Sequence, residues 1–347
     1  MQNGTTSWLI RIGSFLLAGI LLYLGLKGVD LNEVWLVLKG AQLAWFIPLI
    51  LLTILSHWLR ALRWSLMLDV LPERANGTEK VSRFLTFLSV MIGYMANYAG
   101  PRLGEIIRTG YVARRERLHF STVFGTVVVE RTLDMVAFGI ALLTVPLVFQ
   151  NQLVDLWDLL MSPLSTLLEK TSSWVLGGIT FGVVLVVGFM LIYLIRGIQD
   201  PRSIVARTAS QFRDGMLSLL HTGKTRTLIL HTIGMWMCYS MMAYIPFLLL
   251  GQADPFGIGL IQAWGIMLIG AFGVIIPSPG GIGTFHFVTI QALGLLFAMP
   301  QTEAASYAIL AHSGQMILYL VIGFASFLYL GASLPAVTTE DTVAPNE

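Results

Sequence analysis

FLTFLSVMIGYMANYAGPRLGEIIR (residues 84–108) and FGIGLIQAWGIMLIGAFGVIIPSPGGIGTFHF (residues 256–287) decide the fold of this chain. Each begins as an uncharged hydrophobic run and stops at a cluster of helix breakers. The first runs from Phe84 to Tyr98 and breaks at Gly100-Pro101-Arg102-Leu103-Gly104-Glu105. The second runs from Phe256 to Ile276 and breaks at Pro277-Ser278-Pro279-Gly280-Gly281-Ile282-Gly283. Pro101 and Pro279 lie 178 residues apart, about half of the 347-residue chain. Backbone leaves the helix inside a bilayer only where it lines a polar cavity, and discontinuous helices in related halves build such cavities.

Composition places the chain in a membrane. Hydrophobic residues are 56% and charged residues 12%, against about 25% charged in ordinary soluble domains. Between Asp254 and Glu340 the only acidic or basic residue is Glu303. A net charge of +2 gives no electrostatic footprint for nucleic acid. The single cysteine, Cys238, excludes an internal disulfide and a thiolate metal site, and reads as a packing thiol. Arg11 alone precedes the first apolar run and no Ala-x-Ala-like site follows it, so the expectation is a retained first helix.

About 20 apolar residues span the bilayer core. Full spans are expected at 8–26, 43–62, 120–149, 174–195, 228–250 and 305–331, with a polar tail at 332–347. The broken stretches, 84–112 and 257–299, are the remaining embedded pieces. Short basic loops mark the cytoplasmic side. Arg196, Arg202, Arg207, Arg213, Lys224 and Arg226 fill the connection 196–227, and Arg60, Arg63, Arg74, Lys80 and Arg83 the connection 60–83. Arg114, Arg115 and Arg117 follow the first break, whereas 150–173 holds Asp155, Asp158 and Glu169 against Lys170. Both flanks of 84–100 are thus basic, which conflicts with a complete crossing. A re-entrant hairpin that enters from the cytoplasm and returns there removes the conflict. The expected fold is an all-α polytopic membrane protein: six full spans plus two broken re-entrant hairpins, in inverted half-repeats over 8–149 and 174–331. The alternative is eight ordinary spans with an amphipathic helix at 101–117.

The polar residues inside these pieces are the candidates for chemistry. Arg102, Glu105 and Arg108 follow the first break at i, i+3 and i+6, one face of a helix. An arginine fork suits a phosphate, and Glu105 can hold an arginine when no ligand is present; the plainer reading is an interfacial helix touching lipid headgroups nonspecifically. Glu130, Arg131 and Asp134 interrupt the run from Phe120 to Phe149. Ten residues of helix rise about 15 Å, which puts Glu130 near mid-membrane. A charge there costs at least ~2.5–3.5 kcal/mol, so the three must face protein or water, as a binding cluster or as a structural ion pair with Arg102 or Arg108.

Pro279, Gly280, Gly281 and Gly283 open a helical segment whose N–H groups favour an anion. His286 follows, readable as packing or as a proton carrier; His231 and His312 read as packing. Arg60 and Arg63 end the second span, as snorkelling anchors or as a headgroup-collecting patch at the cytoplasmic mouth. Trp8, Trp35, Trp45, Trp157 and Trp174 read as interfacial belt residues. No His-Glu-x-x-His, Gly-x-Ser-x-Gly or Gly-x4-Gly-Lys-Ser/Thr occurs, so neither a catalytic set, a metal nor any cofactor is expected.

Taken together, Arg60-x-x-Arg63-Trp64, Asn97 four residues before Pro101-Arg102, Gly104-Glu105-x-x-Arg108, Glu130-Arg131-x-x-Asp134 and Pro279-Gly280-Gly281-x-Gly283 resemble the lysylphosphatidylglycerol synthase transmembrane region family, the flippase-like integral membrane proteins. The resemblance covers nearly the whole chain. It departs at His286, near which the family usually has a glutamate, so no carboxylate role carries over to the second hairpin. The resemblance implies a multi-pass protein of the prokaryotic cytoplasmic membrane that moves lipids between leaflets. Two-domain members add a soluble aminoacyl-transferase domain; this chain ends at Glu347, so aminoacyl transfer by it alone is not expected.

The functional expectation is a transporter for lipids with phosphate headgroups, either phospholipid or polyprenyl-phosphate. Arg102, Arg108 and Arg131 would bind phosphate; Glu105, Glu130 and Asp134 would hold and release those arginines; Asn97 and the hairpin glycines would complete the site. Two alternatives are a membrane-embedded lipid transferase with Glu130 as base and an accessory subunit of a lipid or polysaccharide pathway. The partners would be membrane lipids, with a homo-oligomer or a pathway enzyme compatible with the same reading.

Overall fold

A computed structural model of the chain describes residues 3–71, 80–100, 102–152, 223–275 and 278–333, and among these no strand occurs. The chain divides into two compact units, Met1–Val127 with Arg226–Glu347, and Val128–Thr225.

The first unit begins with α1 (Asn3–Leu26) and α2 (Leu31–Lys39). Phe15–Leu26 and α2 are bent by 80° at the four residues between them. Gly28 takes a left-handed φ of 88° there, and Asp30 caps α2 by accepting from the Asn32 N–H at 2.8 Å. Leu31, Trp35 and Leu36 lie exposed on α2, with the Lys39 ammonium 5.3 Å from the Trp35 ring centroid. This short helix was not anticipated from the sequence, although Asp30-Leu31-Asn32-Glu33 is a capping signature. A 3-10 turn (Leu43–Trp45) then leads into α3 (Phe46–Leu68).

Two helical hairpins follow the breaks read from the sequence. The first is α4 (Arg83–Ala96) and α5 (Leu103–Glu116), each of 14 residues. After α6 (Phe120–Leu142), α7 (Val145–Val148) and α8 (Thr225–Leu249), the second is α9 (Leu260–Ile275, 16 residues) and α10 (Thr284–Phe297, 14 residues). The chain closes with α11 (Gln301–Ser333). At about 1.5 Å per residue the hairpin arms are about 21–24 Å long, short of the ~30 Å hydrocarbon core. That length argues against eight ordinary spans.

Glycines let the arms of each hairpin touch. A methyl group on Gly104 would run into the carbonyl oxygen of Gly93, and one on Gly273 would fall 2.7 Å from the carbonyl oxygen of Thr284. Both contacts join residues eleven apart in sequence. The same device attaches the hairpins to their neighbours. Gly283 abuts the Ala18 carbonyl of α1, and a methyl on Gly323 of α11 would lie 2.7 Å from the Met91 carbonyl of α4. In lipid, where no hydrophobic force separates helix from solvent, such close backbone approach supplies the packing energy.

Among the described residues, five helical segments are long and apolar enough to cross a membrane, Leu43–Leu68, Phe120–Val148, Thr225–Leu249, Pro279–Phe297 and Gln301–Gly331, or six if the bent pair is one span. The backbone disqualifies Pro279–Phe297 as a continuous rod, because Gly280, Gly281 and Gly283 all have positive φ. The chain is therefore an all-α polytopic membrane protein. Expected spans 8–26, 43–62, 120–149, 228–250 and 305–331 coincide with helices. The expected span 174–195, the loop 150–173 beyond residue 152, the loop 196–227 up to residue 222 and the tail from 334 lie outside the described residues. Within the second unit the described residues are 128–152, which hold α6 from Val128 onward and α7, and 223–225.

Candidate functional site

The tips of the two hairpins meet. The Tyr98 ring, one residue past the C-cap of α4, lies where a side chain on Gly280 would begin. The two tips also share a backbone shape. Arg102 has φ 60°, ψ 13° and Gly280 has φ 60°, ψ 11°. Each stands directly after a proline, and the positions are 178 residues apart; Pro101 itself lies outside the described residues.

At Gly280 the left-handed conformation is free of Cβ strain; at Arg102 it costs roughly 1–2 kcal/mol. Arg102 caps α5 with an exposed side chain and no side-chain cap bond. Strain kept at a non-glycine residue beside a hairpin junction favours a use for its side chain. Arg102→Gly is accordingly expected to raise the melting temperature of the purified protein by relieving this strain. A variant that loses stability contradicts this.

Asn97 is committed within the first hairpin, where its Oδ1 accepts the Gly104 N–H at 2.8 Å. It thereby satisfies one of the first-turn donors of α5, which have no intrahelical partner. Glu105 is half-buried and Arg108 buried. The Arg108 guanidinium lies 4.7 Å from the Trp64 ring centroid. Trp64 is fixed from the other side, its Nε1 donating to Thr126 Oγ1 at 2.8 Å. This cation–π stacking holds a buried cation beside α3.

Arg60 and Arg63 do not snorkel. Both are buried, because α3 runs on to Leu68 and α8 packs polar groups against it. Arg60 Nη2 donates to the Tyr239 hydroxyl at 3.2 Å, and Arg63 Nη1 donates to Thr232 Oγ1 at 3.1 Å. Burial within the protein overturns the anchoring interpretation, and a count of loop charges cannot reveal burial.

Around Arg60 the structure adds residues that the sequence reading missed. Thr53, Ser56, His57, Arg60 and Trp64 are all buried at i, i+3, i+4, i+7 and i+11 of α3. The His57 ring lies 4.4 Å from the Tyr94 ring of α4 and 5.0 Å from the Tyr319 ring of α11, centroid to centroid. Tyr94 and Tyr319 are themselves 4.9 Å apart. A polar stripe at helical spacing within an apolar span was the signal that could have revealed this face.

At the second hairpin Pro279 and Gly281 are buried, and the Ser278 and Thr284 hydroxyls lie 2.9 Å apart. His286 and His312 are both buried with ring centroids 4.9 Å apart, so His312, read from the sequence as packing, is a partner of His286.

Glu130, Arg131 and Asp134 belong to the second unit. Glu130 stands ten residues into α6 and is fully buried; Arg131 and Asp134 are half-buried. All three have interaction partners. Among the described residues no group of three or more His, Cys, Asp or Glu side chains could hold a metal ion.

Comparison with known proteins gives this geometry its relatives. The chain is 24% identical to the protein named Glycosyltransferase AglD of Haloferax volcanii, over 95% of this chain and 56% of that protein. It is 30% identical to the UPF0104 membrane protein MJ1595 of Methanocaldococcus jannaschii, over 39% of this chain and 38% of that protein. The chain thus matches about half, or less, of the length of these curated relatives. No solved structure matches it. The family model described as Lysylphosphatidylglycerol synthase TM region matches residues 10–323, and the chain belongs to that family.

Proposed function

We propose that this protein binds lipids with a phosphate-bearing headgroup and passes the headgroup through the membrane along the junction of its two hairpins, while the lipid tails remain in the bilayer. One observation carries the reading: buried guanidinium groups, Arg60, Arg63 and Arg108, occur in the same unit as two broken hairpins whose tips touch. A cation held at depth is costly unless an anion or polar groups face it. Arginine presents a planar fork suited to phosphate. Arg102 would meet the headgroup first, since its side chain is exposed at the tip of the first hairpin. Glu105, on the same helix as Arg108, would exchange partners with the bound phosphate during passage. This activity would operate in a prokaryotic cytoplasmic membrane.

The relative named as a glycosyltransferase favours a second reading, in which the membrane unit presents a lipid acceptor for sugar transfer carried out by another polypeptide segment.

Reconstitution separates the two. Liposomes containing only this protein and a trace of a labelled phosphate-headgroup lipid should show protein-dependent exchange between leaflets. Arg102→Lys and Arg108→Lys keep charge but lose the fork, and each should slow exchange by about tenfold or more. Exchange no faster than in protein-free liposomes, with lipid binding intact, would favour acceptor presentation. Wild-type rates in folded Arg102→Ala and Arg108→Ala proteins would refute the phosphate assignment.

A further inference from the structure

The two hairpins are built alike but charged differently. The first carries Arg102, Glu105 and Arg108, whereas from Phe256 to Phe297 the second carries no Asp, Glu, Lys or Arg. An anion arriving at the second hairpin meets no fixed positive charge on it. It does meet dipoles. Gly280, Gly281 and Gly283 have φ of 60°, 77° and 81°, and the 14-residue α10 starts there with no side-chain cap. Backbone N–H groups in such a turn and in the first helical turn favour negative charge.

Two buried imidazoles stand at the same place. His286, in the first turn of α10, is 5% exposed, and His312 of α11 is 8% exposed. Their rings are 4.9 Å apart, and the Phe285 ring lies 5.2 Å from that of His312. His312 Cε1 is 3.7 Å from where a side chain on Gly281 would begin, so the ring faces the glycine turn. His286 Nδ1 and His312 Nε2 have no hydrogen-bond partner among the described residues. Thr289 Oγ1, one helical turn beyond His286, is likewise buried and unpartnered.

Among the described residues of the elements packed around the pair, no other proton acceptor stands at this spot. On α10 His286 is the only titratable residue, and α9 has none. On α11, Glu303 accepts from Gln252 nine residues before His312, Tyr307 donates to the Ala243 carbonyl, and Tyr319 belongs to the His57 cluster. Tyr329 of α11 is exposed beside Phe84. On α1, Arg11 lies seven residues before Ala18, which abuts Gly283, and Tyr23 is exposed. Tyr98 rests on Gly280 from the first hairpin.

We infer that His286 and His312, with the Gly280–Gly283 turn, form a second anion subsite that takes up one proton together with a phosphate group. This inference rests on the phosphate-headgroup reading above and names the ion coupled to it. Two imidazoles this close resist double protonation, because like charges in a site push their proton affinities apart. One shared proton gives the hairpin a single positive charge, present only when an anion makes it favourable. Linkage then fixes the sign. An anion that prefers the protonated pair draws in a proton on binding, and its affinity falls as pH rises past the range where the pair loses that proton.

The test uses the full chain in phosphatidylcholine nanodiscs and two probes whose own charge is constant near neutral pH. One is dimethyl phosphate in solution; the other is phosphatidylglycerol included in the disc. Proton uptake is followed with a pH indicator in weak buffer, and affinity is measured across pH. Wild type should take up close to one proton per bound phosphate, and affinity should fall by up to about tenfold per pH unit on the alkaline side. His286→Gln and His312→Gln should each bind with less than about twofold pH dependence. Uptake in the phosphatidylglycerol arm alone identifies a lipid headgroup site, and uptake in both arms a site for phosphate of either source; both support the inference. Binding without proton uptake overturns it and leaves the phosphate-lipid reading standing. Unchanged uptake in both folded glutamine variants also overturns it. Binding of neither probe removes the inference and the phosphate-lipid reading together.

Discussion

Gly104→Ala should cripple the fold, and Gly110→Ala, the same substitution six residues along α5, should improve it. A methyl on Gly104 would enter the carbonyl oxygen of Gly93 and lie 2.8 Å from Asn97 Oδ1. It attacks the hairpin twice, forcing α4 and α5 apart and displacing the Asn97 cap on the Gly104 N–H. The Gly93 carbonyl is backbone, and Asn97 Oδ1 can move aside only by giving up its bond to the Gly104 N–H. Overpacking against rigid neighbours costs typically 1–3 kcal/mol and sometimes more, with a lost cap adding about 1 kcal/mol. Around Gly110 a methyl meets nothing within 4 Å, and in a helix interior alanine is preferred over glycine by roughly 0.8–1 kcal/mol. Thermal unfolding of the two detergent-purified variants checks this directly. The expected result is a clear drop in melting temperature for Gly104→Ala and a small rise for Gly110→Ala. Shifts of the same sign in both would show that the arms are not in backbone contact.

What could be read from the sequence follows from what each signal measures. The breaks were legible because glycine and proline act on the backbone locally, whatever surrounds them. Their pairing could be read because the Gly/Pro clusters around Pro101 and Pro279 stand half a chain apart; Arg102 and Gly280 in those clusters have the same φ and ψ. Arg60 and Arg63 were placed on the right element and given the wrong surroundings as anchors. They are buried against Tyr239 and Thr232, about 170 residues away, which no local pattern announces. His57 had a readable signal, the buried stripe Thr53, Ser56, His57, Arg60 and Trp64, obscured by the apolar residues between them. The His286–His312 pair had none, since it joins neighbouring helices through packing alone. The family motifs named Asn97 without its task, which the 2.8 Å bond to the Gly104 N–H supplies.

The junction of the hairpins makes the second strong expectation, that Gly280→Ala is severely destabilising in wild type and mildly so in a Tyr98→Ala background. Two separate costs act at Gly280. Its φ of 60° strains any residue with a Cβ by about 1–2 kcal/mol wherever Tyr98 stands. The remaining cost is steric, because the new methyl would overlap the Tyr98 ring. Removing that ring abolishes the steric part and leaves the backbone part. The double variant should therefore be more stable than the sum of the single effects predicts, with a coupling of about 1–3 kcal/mol. Because the contact joins residues 182 apart, on different hairpins, coupling of that sign and size requires the two tips to meet in the folded protein. Additive effects, within about 0.5 kcal/mol, would mean that they do not. The proposed headgroup passage gives the same cycle a second reading. If the protein passes phosphate headgroups as proposed and the Tyr98–Gly280 contact closes that path, Tyr98→Ala should accelerate headgroup exchange in liposomes and leave phosphate binding intact. If the contact only braces the fold, Tyr98→Ala should lower the melting temperature without accelerating exchange.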